Sequence, residues 1–244
     1  MNIVEYEKMS KMEDEYWWHV GRLAIFDKQL EKLSSKKKLK ILNIGCGTGG
    51  TVRMLEKHGE VTNVDISDEA IKFMKEKGFP NVIKVDGIKL PFKDNTFDIV
   101  ASFDVLEHIE DDVEALEEWR RVLKPKGHVI VSVPAYKWLW SQHDVSLHHH
   151  RRYTSDSLKA SAVAAGLANK RLSYAIAFSL PLVAGFRLLN KTLGRKMDAE
   201  TSYVAVPPQV NKAFIKLLKA ESRVQKVLRF PFGTTVLGQF TKDS

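Results

Sequence analysis

The sequence predicts an α/β fold built on a doubly wound, mostly parallel sheet. Apolar runs of strand length alternate with stretches of helix length from residue 39 to about residue 178. A glycine cluster at residues 45–50 joins the first of these runs to the first helix of the pattern. The runs carry few polar side chains, which is typical of parallel strands covered by helices on both faces.

The elements can be placed in order from their apolar runs and their end signals. The predicted strands are 39–44, 61–65, 82–85, 97–102, 128–133, 172–178 and 234–240. Ser67 or Asp68 is expected to cap the helix that Gly78 ends, and Thr154 to cap a helix that ends near Gly166. A further helix precedes the stop Lys124-Pro125-Lys126-Gly127 and offers Leu116, Trp119 and Leu123 to the core.

Length and composition limit the class of protein. The chain has 244 residues, 44% hydrophobic and 28% charged, which excludes a disordered chain, a collagen and a disulfide miniprotein. Its one cysteine, Cys46, needs no oxidising compartment. The charged N-terminus is unlike a signal peptide, and the longest apolar stretch, 174–186, is shorter than the ~20 residues of a membrane span. We therefore expect a soluble cytoplasmic protein.

The net charge of +8 is concentrated in one segment, because residues 187–229 hold ten basic and three acidic residues. Within 209–230 the basic residues follow a helical spacing and share one face: Lys212, Lys216, Lys219, Arg223 and Lys226. The opposite face is predicted to pack through Val210, Phe214, Leu217, Leu218, Val224 and Leu228. Glu221 falls on that apolar face and should meet an Arg, a backbone donor or the substrate pocket. The basic face is either solvated or attracted to an anionic membrane or substrate.

The glycine loop indicates a nucleotide-type cofactor. Gly45, Gly47 and Gly50 satisfy GxGxxG, while Gly45, Gly47 and Gly49 satisfy GxGxG. Asp65, at the end of the second strand, is placed to bind ribose hydroxyls with either pattern. The loop alone therefore leaves the identity of the cofactor open.

Five ordered blocks settle that choice by resemblance. They are LNIGCGTGG (42–50), NVDIS (63–67), VDGIKLPFKDNTFDIV (85–100), VLEHIEDD (105–112) and LKPKGHVIVSVP (123–134). In these blocks the chain resembles the class I S-adenosylmethionine-dependent methyltransferases. The resemblance implies a Rossmann-like, seven-stranded sheet with its last strand antiparallel, S-adenosylmethionine as cofactor and S-adenosylhomocysteine as product.

The resemblance also implies which residues bind the cofactor. The glycine loop would approach its methionine part through Gly45, Cys46, Gly47 and Gly49. Asp65 with Ile66 would bind the ribose, Asp86 with Gly87 the adenine, and Ser102 with Phe103 would line the methionine end. Asn43 departs from the acid that is usual in the family. Cys46 is expected to be a small apolar filler, not a nucleophile.

Segments outside the core resemble a subgroup often associated with quinone, lipid or polysaccharide modification. They are YWWHVGR (16–22), WLWSQHDVSLHHHRRYTSDSL (138–158) and FPFGTTVLGQF (230–240). In that subgroup the N-terminal helix folds over the cofactor, so Trp17 and Arg22 are candidates to close the pocket, Arg22 on the cofactor carboxylate. The alternative is that Tyr16, Trp17 and Trp18 only anchor a terminal helix to the core.

Methyl transfer from a sulfonium needs alignment and exclusion of water, and a hydroxyl acceptor also needs a general base. The long loop 135–153 offers His149, His143 and Asp144 as candidate catalytic residues, although each is also plausible as a supporting residue. His148, His149 and His150 are adjacent, but neighbouring side chains diverge and the spacing matches no standard zinc site. We expect no metal.

The sequence thus predicts a methyltransferase with three parts: an N-terminal helical cap (1–33), a cofactor-binding core (36–178 plus 231–244) and a helical basic insertion (179–230). The acceptor should be a small or lipid-like molecule methylated at oxygen or carbon, with peripheral membrane contact. An NAD(P)-dependent oxidoreductase and a nucleic-acid methyltransferase remain as alternatives. Nucleic acid is not expected, because SFDV stands where amino-methylating nucleic-acid enzymes carry a DPPY-like tetrapeptide.

Overall fold

The centre of the protein is a seven-stranded sheet, seen in a computed structural model that describes residues 3–34, 38–79, 81–192 and 206–243. Its strands are β1 (Leu39–Ile44), β2 (Gly59–Asp65), β3 (Val82–Lys84), β4 (Phe97–Phe103), β5 (Leu123–Pro134), β6 (Ala168–Ala175) and β7 (Thr235–Thr241). They lie in the order β3-β2-β1-β4-β5-β7-β6. Only β7 is antiparallel to its neighbours, which confirms the predicted mostly parallel sheet with an antiparallel last strand.

Nine α-helices accompany these strands in the described ranges. They are α1 (Ile3–Met12), α2 (Trp17–Ser34), α3 (Val52–Glu56), α4 (Asp68–Glu76), α5 (Asp112–Val122), α6 (Gln142–Ser146), α7 (Ser155–Ala164), α8 (Ser179–Thr192) and α9 (Pro208–Val224). The predicted caps are confirmed, because Ser67 accepts from the N–H of Ala70 and Thr154 from that of Ser157.

Helices cover both faces of the sheet, as the apolar strands predict. On one face Phe26 and Leu30 of α2 pack with Ile41, Ile99 and Leu218. On the other face α5 and α7 pack on the sheet through a separate set of buried side chains: Leu116, Trp119, Leu158, Ala162, Val100 and Val129. Trp119 is fully buried, and truncation to Ala would cost about 3–5 kcal/mol of stability.

Two strand boundaries differ from the prediction for identifiable reasons. β5 begins at Leu123, not at residue 128, because the segment interpreted as a helix stop continues the strand. Within it Lys126 is left-handed (φ 64°) and its N–H bonds to the carbonyl of Lys242. β6 ends at Ala175, where Ile176 becomes left-handed (φ 57°) and its N–H turns to Glu221.

Helix α9 lies against α2 at close range. A Cβ added to Gly21 would lie 2.0 Å from Cδ1 of Leu218, so only glycine permits this approach.

The division into cap, core and insertion stays a prediction, and residues 193–205 of the insertion lie outside the described residues. In the described part of the chain, no helix is long and apolar enough to cross a membrane.

The predicted apolar face of α9 is wrong in part. Exposed fractions are 36% for Val210, 45% for Leu217 and 43% for Val224, and Leu228 lies beyond the helix at 57%. The buried side instead carries Leu218, Glu221, Ser222 and Gln225. The reason is that α2 covers only part of the circumference. For Glu221 the expected backbone donor is confirmed: it accepts from Ile176 and Ala177 at 2.6 and 3.1 Å.

Candidate active site

The candidate site lies at the carboxyl edge of the sheet, where the parallel strands end together. Gly45 follows β1, Asp65 ends β2, Asp104 follows β4 and Ala135 follows β5. In open α/β sheets ligands bind at this edge. Several of the sequence-predicted residues, among them Gly45 and Asp65, therefore meet at this edge from distant parts of the chain.

The glycine loop is fastened to the end of β2. Asp65 accepts from the N–H of Gly47 at 2.9 Å and from that of Ser67 at 3.0 Å. Burial raises the pKa of Asp65, and these N–H donors oppose that effect. Gly45 has φ 73°, and a Cβ there would lie 2.2 Å from Cγ2 of Val105, so this glycine is required by packing as well as by backbone conformation.

Cys46 is buried within the loop and packs with Val52 and Met74. Burial, with the nearby Asp65 carboxylate, raises the pKa of its thiol. A thiol held in its protonated form is a poor nucleophile, which agrees with the predicted role as an apolar filler.

The residues predicted to bind adenosine lie beside Asp65, and they include one apolar and one polar side chain that are exposed to solvent. Ile66 is 64% exposed, and Asp86 is exposed with Oδ1 accepting the N–H of Ile88 at 3.2 Å. The carbonyl of Gly87 is used by the indole N–H of Trp119 at 2.9 Å. An exposed apolar side chain and an open carboxylate beside Asp65 fit an adenosine group.

The two predicted residues at the end of β4 are buried. Phe103 stacks on Phe26 with ring centroids 4.1 Å apart, so its side chain belongs to the contact with α2. The hydroxyl of Ser102 is buried and has no hydrogen-bond partner among the described residues. The end of β4 can therefore contact a methionine group through the Ser102 hydroxyl and through its backbone.

Trp17 and Arg22 lie on the same helix but make different contacts. The Trp17 ring packs against Phe178 and Phe214 at 5.7 and 5.2 Å. Arg22 is ion-paired with Asp104, and its guanidinium lies 4.1 Å from the centroid of Trp18. Arg22 is thus held at the site edge by a carboxylate of the chain itself. Its predicted contact with the cofactor carboxylate stays a prediction.

Helix α1 covers the glycine loop through residues that sequence reasoning did not single out. Tyr6 stacks on Phe73 at 6.3 Å, and burial followed by the Asp65 charge raises the pKa of Tyr6 to about 12. A Cβ on Gly47 would lie 3.2 Å from the methyl of Met9.

The turn after α1 adds a polar contact. Glu13 accepts from the Thr48 hydroxyl at 2.5 Å and pairs with Lys77. The signal available in the sequence was the spacing of Tyr6, Met9 and Glu13, which places them on one helical face.

Two of the three candidate catalytic residues form a buried pair. Nδ1 of His149 lies 3.0 Å from Oδ1 of Asp144. Asp144 is fully buried and also accepts from Arg152 at 2.6 Å and from the N–H of Ser141 at 2.8 Å. Burial acts to raise the pKa of Asp144, but the bonds from His149 and Arg152 hold it well below its usual range. Asp144 therefore fixes the orientation of His149.

The third candidate, His143, is exposed on α6 with its ring 6.5 Å from that of His149. It lies beside the pair at the surface. His148 is left-handed (φ 59°), a backbone conformation that favours glycine.

Glu107 is a buried carboxyl that sequence reasoning passed over. It is 1% exposed, and Oε2 has no hydrogen-bond partner in the described ranges. Burial, then the charge of Asp104, raises the pKa of Glu107 well above its usual value. Nε2 of His149 lies 4.0 Å from Oε1 of Glu107. The available signal was an acid inside the otherwise apolar start of VLEHI.

Glu107, His108 and His149 are also the one described group that could offer three ligand atoms to a metal, all within 4.8 Å of one another. Burial and the neighbouring His149 lower the pKa of His108 to about 3, so its ring is neutral. Of the three adjacent histidines, His148, His149 and His150, only His149 belongs to this group of possible metal ligands. That the protein needs no metal stays a prediction.

Comparison with known proteins identifies a methyltransferase domain in the middle of the chain. Residues 42–131 match a family model described as a methyltransferase domain. A demethylmenaquinone methyltransferase of Staphylococcus aureus is 35% identical over 126 residues, covering 46% of this chain and 52% of that protein. An uncharacterised protein of Methanocaldococcus jannaschii is 42% identical over 104 residues, covering 43% and 44%. The chain thus spans about half the length of these relatives.

Solved structures share the fold over nearly the whole chain. A chain in the complex of the Haloferax volcanii Trm112 methyltransferase activator with a methyltransferase has a TM-score of 0.63 at 19% identity, covering 99% of this chain and 95% of that chain. A methyltransferase from Archaeoglobus fulgidus that is described as S-adenosylmethionine-dependent has a TM-score of 0.58 at 17% identity, covering 90% and 94%.

The seven-stranded α/β fold of this chain is the fold of these solved methyltransferases. Residues 42–131 match the methyltransferase domain family, as the resemblance of the five sequence blocks implies. That segment contains the glycine loop, Asp65 and Asp86.

Proposed function

We propose that the chain is an S-adenosylmethionine-dependent methyltransferase that methylates oxygen or carbon of a small, lipid-like acceptor. The observation that carries this proposal is the bond between Asp65 and the glycine loop, at the sheet edge that also holds the His149–Asp144 pair. Bound there, the cofactor would supply an electrophilic methyl group, leaving S-adenosylhomocysteine. An NAD(P)-dependent oxidoreductase and a nucleic-acid methyltransferase gain no support from the comparisons.

Cofactor binding is assigned to the loop and the strand ends. The glycine loop (Gly45, Cys46, Gly47 and Gly49), with Ser102 and Phe103, would meet the methionine part. Asp65 with Ile66 would meet the ribose, and Asp86 with Gly87 the adenine. Asp65 can accept ribose hydroxyls while keeping its two N–H donors, because a carboxylate has about four acceptor positions. Arg22 and Trp17, with α1, would exclude water from the reacting atoms.

His149 is proposed as the general base for a hydroxyl acceptor. Its Nδ1 hydrogen is directed to Asp144, so Nε2, which lies 4.0 Å from Oε1 of Glu107, carries the lone pair that can accept a proton. The acceptor proton would move to Nε2 as the oxygen attacks the methyl group, and the buried Asp144 carboxylate would stabilise the resulting imidazolium. Asp144 is thus a positioning residue, and exposed His143 would contact the acceptor at the site entrance.

The acceptor class is proposed from likeness and from surface chemistry. One relative is named a demethylmenaquinone methyltransferase, which favours a quinone-type acceptor with an apolar tail. Exposed Trp138 and Trp140 on the loop after β5 would suit such a ring. We place the enzyme in the cytoplasm with peripheral membrane contact, since its single cysteine needs no oxidising compartment and an apolar acceptor resides in a membrane.

Calorimetry with S-adenosylmethionine and with NADH tests the cofactor. We expect S-adenosylmethionine to bind at one site and NADH not to bind. Transfer of label from methyl-labelled S-adenosylmethionine to demethylmenaquinone, against a soluble catechol as comparison acceptor, tests the acceptor class. Binding of NADH alone would contradict the proposed activity, and labelling of the catechol alone would contradict the lipid-like acceptor.

A further inference from the structure

The outer side of α9 carries two different strips of exposed residues. The basic strip consists of Lys212, Lys216, Lys219 and Arg223, and the apolar strip of Val210, Leu217 and Val224; all seven side chains are exposed. At 100° per residue the basic strip covers about 60° of the helix, and the apolar strip is centred about 130° further round. Exposed Ala213 and Ala220 lie between them, with Gln209 at the start of the helix, so two of the three side chains between the strips are small.

Three more exposed apolar side chains follow the end of the helix in the sequence. Val227 is 81% exposed, Leu228 57% and Phe232 50%. Exposed side chains of this size are ordinary when single, but several in one segment mark an interaction surface.

The charge of this surface has one sign. Among residues 206–232 the only acid is Glu221, which is buried and bound to the backbone of Ile176 and Ala177. Lys226 is ion-paired with Glu31 of α2, while no ion pair within the described ranges involves the four residues of the basic strip. The strip is therefore free to meet an anionic partner.

We propose that this face of α9 docks on the surface of an anionic lipid bilayer. The apolar strip would enter the boundary between headgroups and acyl chains, while the basic strip would lie on lipid phosphates. Nucleic acid would satisfy the basic strip but leave the apolar strip without a partner. A bilayer satisfies both at once, which is why the geometry favours it.

Docking here would place the bilayer one helix away from the site. Asn211 of α9 accepts from the N–H of Trp17 at 2.8 Å and donates to the carbonyl of Glu15 at 2.8 Å. Gly21 of α2 packs on Leu218, and Arg22 of the same helix pairs with Asp104. Delivery of a lipid-like acceptor along this path rests on the proposed function, whereas docking itself does not.

Cosedimentation of the full chain with vesicles tests the docking. The vesicles are phosphatidylglycerol–phosphatidylcholine mixtures, with pure phosphatidylcholine as the neutral comparison. We expect binding to the anionic vesicles only, weakening as salt rises, because the Debye length falls to about 10 Å at 0.1 M. Replacing the basic strip (Lys212→Gln, Lys216→Gln, Lys219→Gln and Arg223→Gln) should weaken partitioning at least ~100-fold, since each residue contributes about fivefold.

Two further variants complete the test. One removes the apolar strip, and the other is a control for the loss of four positive charges. Leu217→Ser with Val224→Ser should remove the part of binding that survives high salt. A matched control removes four exposed lysines elsewhere: Lys57→Gln, Lys72→Gln, Lys75→Gln and Lys159→Gln. The control should bind vesicles as the parent does.

The docking proposal is overturned if the parent fails to sediment, if the basic-strip variant binds like the parent, or if the control loses as much binding. It is also overturned if a DNA duplex binds the strip more tightly than the vesicles do. S-adenosylmethionine affinity, measured on each variant, is expected to be unchanged. Vesicle binding without any S-adenosylmethionine affinity in the parent would instead contradict the proposed function alone.

Discussion

Asp65 and Gly47 are joined by a hydrogen bond of 2.9 Å that ties the end of β2 to the glycine loop after β1. A second oxygen of the same carboxylate accepts from Ser67, the cap of α4. One side chain therefore shapes the loop, fixes the start of a helix and offers its remaining lone pairs at the site. The loss of Asp65 should therefore affect the glycine loop, the start of α4 and the site.

Asp65→Ala should weaken S-adenosylmethionine binding by about 1–3 kcal/mol, because it removes charge-assisted hydrogen bonds to ribose and loosens the loop. Calorimetry would then show a dissociation constant raised by roughly 5- to 150-fold. Asp68→Ala is the matched control, since Asp68 is an exposed carboxylate three residues further on. Equal affinity of the Asp65 variant and the parent would show that this strand end does not bind the cofactor.

Cofactor binding should slow amide hydrogen exchange in residues 6–22 and 141–149 together. The first segment covers the glycine loop through Tyr6 and Met9 and includes Trp17 and Arg22, and the second holds His143 and His149. Mass spectrometry with and without S-adenosylmethionine measures this, and peptides of α7 serve as the reference that should not change. Unchanged exchange in both segments would rule out a shared lid.

The core could be predicted from sequence because its signals are local. The central strands β1, β4 and β5 contain apolar runs, Gly45 and Gly47 have the positive φ of the turn that they make, and Thr154 acts within three residues of its own position. The antiparallel last strand came from resemblance to a family, and the order of the strands was not predicted. Local periodicity does not encode which strands are neighbours.

The features that sequence reasoning missed depend on contacts between distant segments. Tyr6 and Glu13 matter because α1 lands on the glycine loop, and no motif marks them. Glu107 matters because it is buried opposite His149. On α9 the sequence pattern separates polar from apolar residues. It does not show that α2 covers only part of the helix, so that Leu218 is buried and Leu217 is exposed.

His149→Asn should lower kcat about 10²- to 10⁴-fold with a hydroxyl acceptor, the usual contribution of a general base, while the affinity for S-adenosylmethionine stays the same. His148→Asn is the control, because His148 is exposed and left-handed, a conformation that Asn tolerates. Asp144→Asn should lower kcat less if its melting temperature is maintained, because it only positions the base. An unchanged kcat in the His149 variant would show that the reaction needs no proton acceptor there.

Glu221→Gln should lower the free energy of unfolding by about 1–3 kcal/mol, because one of the two N–H groups of Ile176 and Ala177 loses its acceptor. Burial raises the pKa of Glu221 above the ordinary value of 4.5, although the N–H donors oppose this. The folded state then holds its proton to higher pH than the unfolded chain. Stability from this group is complete below about pH 4.5 and declines as the pH rises through the folded pKa.

The Glu221→Gln variant does not titrate at this position. The difference in free energy of unfolding between parent and variant should therefore be largest at acid pH and should decrease toward neutral pH. Urea unfolding from pH 4 to pH 7 measures the gap. Glu117→Gln, which removes an exposed carboxylate from α5, controls for the loss of one negative charge. A gap that widens with rising pH would mean that the N–H groups at the end of β6 stabilise the carboxylate more than burial destabilises it. The pKa of Glu221 would then lie below its ordinary value, and Glu221 would fasten α9 to the sheet most firmly at neutral pH.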